Sequence, residues 1–331
     1  MTRYIYVVIF VLLVSSFCLV QQSLYPFHTS AYAADKIRIA YPNPNAAIVT
    51  IPLAHKRGFL KEEGLDAEFV RVGGAPAMAT LVNGEVDYYT AITSAVLAAI
   101  QGLPVRVVAC FMIAAPQTLV ARPEFRSVKE LKGKSIAAGS FGTSPFENAR
   151  LIVIHFGLDP EKDVKLVTGG TPEANLSRLK QGLLDATAVP VPFDFYGKKM
   201  GLTVLARAYE LFSFPSVGLV TTTKKIKERP DEIKRVIKAG IKANRYIQAN
   251  RDETIQFMME WLKNDREVAT ANYEYLSKAS NDDGSLPEKG IQLEIEETKK
   301  AGKVVREISV SEVADLSILK EAQRELGIKG K

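Results

Sequence analysis

Gly64-Leu65-Asp66, then Gly73-Gly74-Ala75-Pro76, then Leu81, Gly84 and Asp87, form a series that returns later in the chain. The second copy reads Gly157-Leu158-Asp159, Gly169-Gly170-Thr171-Pro172, and Leu179, Gly182 and Asp185. The spacing between copies drifts only from about 93 to about 98 residues. Order survives small insertions, so two similar units are present. Each reads as strand, glycine turn, helix, strand. Phe69, Val70 and Val72 belong to the first strand, and Val164, Leu166 and Val167 to its counterpart. A proline just after the glycine pair suits the first helical turn, where its missing N–H would be unpaired in any case. Gly84 or Gly182 ends the helix, and a new strand begins after the aspartate. Alternating strands and helices predict an α/β architecture in which each lobe is a mainly parallel sheet flanked by helices.

Ile37, Ile39 and Tyr41 alternate as an opening strand, 105–112 reads as a buried strand, and 135–139 opens the second lobe. Ser127 with Glu130, Ser144 with Glu147, and Ser309 with Glu312 have capping-box spacing. From Pro230 the chain is mostly helical, with Ile233, Val236, Ile237 and Ile241 on one stripe. Residues 281–284 (Asn-Asp-Asp-Gly) read as a loop. The expected organisation is a first part of lobe one over 34–120, lobe two over 121–216, and a return over 217–331 whose helices pack on lobe one. The stretches 116–123 and 213–222 would be the two crossings and the hinge.

The N-terminus carries Arg3, an apolar run over 5–14, and Ala31-Tyr32-Ala33. That order is a secretory signal, and the run is shorter than the roughly 20 apolar residues that span a bilayer. Cleavage is expected near Ala33, leaving roughly 300 residues, enough for two ordinary cores. Lipidation at Cys18 is disfavoured by bulky Phe17 before it. Of the two cysteines, only Cys110 would remain, so stability must come from packing without an internal disulfide. The formal charge of +6 is scattered, which argues against nucleic acid as a partner.

Several segments together resemble a known family: Lys36-Ile37-Arg38-Ile39-Ala40-Tyr41, Gly58-Phe59-Leu60-Lys61-Glu62-Glu63-Gly64, the turn from Gly84 to Asp87, and Leu131-Lys132-Gly133-Lys134. They are similar to the solute-binding proteins of ABC importers in the sulfonate, taurine, nitrate and thiamine-pyrimidine-precursor group. The resemblance covers nearly the whole chain after the signal. It implies a two-lobed periplasmic-binding-protein fold with two crossings (type II), a small-molecule ligand, a permease and ATPase complex as partner, and a monomer in the periplasm.

In open parallel sheets, ligands sit beyond the carboxyl ends of the strands. That rule selects Asn43 and Asn45 after the first strand, Gly74 and Ala75 before a helix, and Thr93 and Ser94 after the Asp87 strand. In lobe two it selects Gly142, Thr143 and Ser144 at a helix start, and Phe193 and Asp194 after a strand. Phe111 is a further candidate for an apolar wall, with Phe141, Phe193 and Phe214. Free N–H groups at the start of the helix after Gly142 favour an anion, and Asp194 suits a ligand amine. The expected ligand is a small anionic or zwitterionic organic solute. Against these roles stand ordinary ones: Thr93, Ser94 and Ser144 as helix caps, Asn43 and Asn45 bonding their own turn, the aromatics as core.

No catalytic centre emerges. His55 and His155 lack metal-ligand spacing with each other or with Cys110, so neither a metal nor another cofactor is expected. Cys110 lies in an apolar strand, and no nucleophile elbow or phosphate loop occurs. Solute capture by hinge closure is the leading expectation. The competing ones are a transferase or pyrimidine-precursor synthase on the same fold, and a ligand-sensing partner of a membrane receptor.

Overall fold

The computed structural model describes residues 34–140, 144–302 and 304–328. The expected signal segment and its cleavage site near Ala33 lie outside them.

Ten strands form two five-stranded sheets. The first part of the chain supplies β1 (Asp35–Tyr41), β2 (Leu65–Arg71), β3 (Tyr88–Ala91) and β4 (Val105–Met112). Then come β5 (Gln117–Ala121), β6 (Ser135–Ala138), β7 (Lys165–Thr168), β8 (Ala186–Pro190), β9 (Thr203–Arg207) and β10 (Val217–Thr222). Sheet one has the order β2-β1-β3-β10-β4, and sheet two β7-β6-β8-β5-β9. The two orders are equivalent, with β5 in sheet two taking the place of β10 in sheet one. Each of these strands runs antiparallel to both neighbours, while β1, β2 and β3, like β6, β7 and β8, pair in parallel. The chain therefore passes between the sheets twice, just before Gln117 and just before Val217. These passages are narrower than 116–123 and 213–222, because most of those residues are strand.

The repeat read from the sequence has a structural cause. Asp87 and Asp185 each precede the central strand of a sheet and accept from a backbone N–H of the first strand: Arg38 N to Asp87 Oδ2 at 2.7 Å and Ser135 N to Asp185 Oδ2 at 2.9 Å. A cation just after the antiparallel strand completes each pin. Lys225 follows β10 and reaches Asp87 at 2.6 Å, while Arg122 follows β5 and reaches Asp185 at 2.8 Å. Burial works against ionisation of Asp185, but the Ser135 amide and hydroxyl and Arg122 outweigh it and hold its carboxyl below the ordinary value.

The longer helices are α1 (Thr50–Lys56), α2 (Gly74–Val82), α3 (Ile92–Ile100), α4 (Ser144–His155), α5 (Pro172–Lys180), α6 (Phe193–Lys199), α7 (Pro230–Ala249), α8 (Arg251–Leu262), α9 (Arg266–Ala279), α10 (Glu288–Gly302) and α11 (Ser317–Glu325). Gly84 and Gly182 follow α2 and α5 with φ of 76° and 73°, the left-handed conformation that a side chain would strain. In sheet one, α1, α7 and α11 pack on one face and α2, α3 and α10 on the other. The stripe Ile233, Val236, Ile237 and Ile241 is wholly buried there. Covered on both faces, β4 is buried at every position but Arg106. Sheet two is flanked by α4 on one side and by α5 and α6 on the other.

One expected capping box forms, at Ser309 and Glu312. At Ser127 the Glu130 carboxylate takes both the Arg126 amide and the Ser127 hydroxyl, so the reciprocal bond to the helix is absent. At the third, the Ser144 side chain lies outside the described residues, and Glu147 accepts from Arg150 Nε. Among the described residues no helix is long and apolar enough to cross a membrane.

Candidate functional site

A cavity of about 910 Å³ lies between the sheets, beside the two passages. Lobe one lines it with Asn43 and Asn45 after β1, Ala91, Thr93 and Ser94 where β3 enters α3, and Glu297 and Thr298 on α10. Lobe two contributes Gln117 at the start of β5 and Pro145 and Glu147 on α4. Pro116, Phe214 and Ser216 come from the passages themselves. Both lobes thus converge on one space, at the strand ends where helix N-termini meet.

The sequence candidates divide. Asn43, Asn45, Thr93 and Ser94 line the cavity, but three of them hold local bonds. Asn43 Oδ1 accepts from Arg71 Nε and Nη2 at 3.1 and 2.6 Å, and Asn45 Oδ1 accepts the Ala47 amide at 2.9 Å. The Ser94 hydroxyl lies against the Tyr89 hydroxyl, as does the Gly74 backbone. Gly74 and Ala75 themselves are exposed at the start of α2, outside the lining. Gly142 and Thr143, with Phe141, lie outside the described residues; Ser144 opens α4, and its side chain is likewise outside them.

Three candidates lie outside this cavity. Phe111 is fully buried in lobe one against α7, so tightly that a Cβ on Gly240 would stand 2.3 Å from its Cζ. Phe193 packs on the lobe-two core with Leu176, Val189 and Leu202. Asp194 is neither solvated nor in this cavity. It accepts from Arg207 Nε at 3.3 Å and lines a second cavity of about 520 Å³ with Tyr209 and the α9 residues Arg266, Thr270 and Glu274. In each case an inward turn at a strand end is dictated by what packs beneath it, which local sequence does not contain.

Sequence reasoning missed the groups that join the lobes across the cavity wall. Arg150 on α4 donates from Nε to Glu147 Oε2 at 3.2 Å and from Nη2 to Glu297 Oε2 on α10. Lys300 Nζ donates to the other Glu297 oxygen at 2.7 Å. Burial pushes the Glu147 carboxyl up, only partly offset by Arg150, and the neighbouring Glu297 adds to the rise. Burial also opposes Glu297, yet Lys300 and Arg150 outweigh it and hold its carboxyl down. The i,i+3 spacing of Glu147 and Arg150 was visible in the sequence; the approach of Glu297 was not.

Replacing Arg150 by methionine keeps the stem and removes both bonds, leaving two facing carboxyls. The expected result is a loss of roughly 1–3 kcal/mol of stability, below the full value for a wholly buried pair, with a larger radius of gyration in solution scattering. Unchanged stability and radius would show that this contact contributes nothing to holding the lobes together. On the other flank, Lys199 with Glu267 and Lys278 with Glu210 also join lobe two to α9. These side chains are largely exposed, so each pair contributes little.

Residues 44–254 match the profile of proteins described as NMT1/THI5 like. The chain belongs to the NMT1/THI5-like family. Among curated relatives, a riboflavin-binding protein, RibY, from Chloroflexus aurantiacus is 25% identical over 227 residues, which are 66% of this chain and 64% of that protein. The chain thus matches just under two thirds of that relative's length. Among solved structures, a periplasmic sulfonate-binding protein from Methylobacillus flagellatus superposes with a TM-score of 0.73 at 16% identity, covering 90% of this chain and 96% of the other. The desulfurization enzyme DszB superposes with a TM-score of 0.66 at 14% identity, over 88% and 99%. At these identities the likeness is one of fold: two α/β lobes of the periplasmic-binding-protein kind. The same fold therefore occurs in a binding protein and in an enzyme.

Proposed function

We propose that the chain is the solute-binding component of an ABC importer, exported to the periplasm, which captures a small organic molecule between its lobes and delivers it to a permease and ATPase complex. The observation that carries this reading is the 910 Å³ cavity lined from both lobes, where only two passages of chain join the sheets. Such a connection lets one lobe close on the other, excluding water and strengthening polar contacts. The Arg150 to Glu297 contact is the bond a closed form would make.

The cavity's chemistry moves the expected ligand away from a sulfonate. Among the described residues lining it there is no lysine or arginine; its charged members are Glu147 and Glu297. Asn, Gln, Ser and Thr side chains alternate there with proline, alanine, isoleucine, leucine and phenylalanine. That lining suits an uncharged or cationic molecule with apolar faces, of a size up to several fused rings. Riboflavin, named for the Chloroflexus relative, is accordingly the first compound to test.

Binding is favoured over catalysis by the state of Cys110. It lies on β4, the end strand of sheet one, fully buried, and burial together with nearby Glu294 pushes its thiol far up, so it stays protonated and inert. His55 packs edge-on to Phe69 and His155 to Phe156.

A thermal-shift screen with riboflavin, aminopyrimidines, taurine, alkanesulfonates and nitrate, followed by calorimetry, tests the reading. A ligand at about 100 times its Kd adds about 2.7 kcal/mol, or a rise of roughly 5–10 °C for a protein of this size. Turnover of a bound compound into a new product would instead place the chain with the enzymes of this fold.

A further inference from the structure

The second cavity, of about 520 Å³, has lobe two for one wall and α9 of lobe one for the other. Among the described residues it shares no lining residue with the larger cavity. The pairs Lys199 with Glu267 and Lys278 with Glu210 join the same two walls.

Its central ion pair is only half used. Asp194 is 6% exposed, and its Oδ2 accepts from Arg207 Nε at 3.3 Å. The other oxygen, Oδ1, has no hydrogen-bond partner among the described residues, yet it is not sealed from the cavity. The same holds for both terminal nitrogens of Arg207 and for the Tyr209 hydroxyl. Burial holds the Tyr209 phenol protonated, with Arg207, Asp194 and Glu274 near enough to act on it. Of the other charges in the wall, Arg266 and Glu267 are already paired with Asp252 and Lys199. That leaves Lys198 and Glu274, one of each sign.

A buried carboxylate with one open oxygen takes a donor. An open guanidinium fork takes a planar anion, best through two parallel bonds. Because the two side chains touch, both needs lie within reach of one small molecule carrying both charges. A singly charged molecule meets only one of them and upsets the balance of the wall. Phe195 and Ala271 leave an apolar side, and a cavity of this size holds an amino acid with room for its side chain.

We propose that this cavity is a second ligand site, for a free amino acid with an apolar side chain, whose carboxylate sits on the Arg207 fork and whose ammonium group donates to Asp194 Oδ1. Glu274 adds an acceptor from α9, so the bound zwitterion bridges the lobes. This site goes beyond the solute-binding reading and does not depend on it.

The test uses the protein without its signal segment, unfolded and refolded to strip any carried ligand. Calorimetry is run with L-alanine, L-leucine and L-phenylalanine, each beside its deaminated acid and its decarboxylated amine. At least one amino acid is expected to bind with a Kd below about 1 mM. Both of its singly charged relatives should bind about 10- to 100-fold more weakly. Arg207→Lys keeps a charge beside Asp194 but loses the fork, and should weaken binding about 10-fold. Ala271→Trp, which fills this cavity from α9, should abolish binding. Thr298→Trp, which fills the larger cavity, should leave it unchanged. Where a tryptophan variant does not fold, Arg207→Lys decides. No amino acid bound below about 1 mM overturns the site and leaves the solute-binding reading untouched. Equal binding of a singly charged relative, or unweakened binding in Arg207→Lys, overturns the pairing with Asp194 and Arg207. Binding lost in Thr298→Trp but kept in Ala271→Trp puts the amino acid in the larger cavity, which supports the solute-binding reading and overturns this second site.

Discussion

With glutamine in place of Glu294, the protein is expected to gain several kcal/mol over the wild type at pH 8.5 relative to the difference between them at pH 5. Glu294 lies on α10, fully buried, between Ile291 and Ile295 of the lobe-one core and beneath the cavity residue Thr93. Neither of its carboxyl oxygens reaches a hydrogen-bond partner. Burial raises its pKa from the ordinary 4.5 to about 8, and the Thr93 hydroxyl nearby relieves this only in part. Below about pH 4.5 the group is protonated in both folded and unfolded chains and adds no pH dependence. Between there and about pH 8 the unfolded chain releases the proton and the folded chain keeps it, so stability falls as pH rises. Above about 8 the loss levels off, at up to about 5 kcal/mol. Glutamine cannot ionise and removes this slope while nearly keeping the shape. Urea unfolding of both proteins at pH 5, 7 and 8.5 measures it. Parallel curves would mean that the carboxyl is hydrated or paired in solution.

Phe111→Ala is expected to lose about 3–5 kcal/mol of stability, the range for deleting a fully buried aromatic, while the folded fraction binds ligand as before. The ring fills the gap above Gly240 in α7, and its backbone carbonyl accepts from Asn244 Nδ2 at 2.8 Å. The complementary change should also be damaging: Gly240→Ala places a methyl where the ring stands and is expected to destabilise by about 1–3 kcal/mol. Chemical denaturation with a parallel binding titration separates the two possible roles. If Phe111 faced the ligand, truncation would weaken binding and leave unfolding unchanged.

The reach of the sequence is clearest where a signal is contained in a few neighbouring residues. The glycine turns and the apolar stripe of α7 act through turns and periodicity made nearby in the chain, and the aspartates before β3 and β8 showed by their repetition although their partners lie far off in sequence; from these the α/β class and the doubled unit were legible. Asn43, Asn45, Thr93 and Ser94 could be placed at the cleft because parallel sheets always present that edge. Phe111 could not be placed: β4 is apolar throughout, so no alternation distinguishes its faces, and only the docking of Gly240 more than a hundred residues later decides where the ring goes. Asp194 found Arg207 for the same reason. Glu297 read as one charge on a charged helix, until α10 brought it to Arg150 from the other lobe. The sequence by itself determined the two units, their strands and the edge where a ligand sits, since local backbone preference and periodicity encode them. Only the tertiary structure decided which polar atoms near that edge are already bonded, as those of Asn43 and Glu297 are, because hydrogen-bond occupancy in a buried wall depends on partners that folding brings from distant parts of the chain.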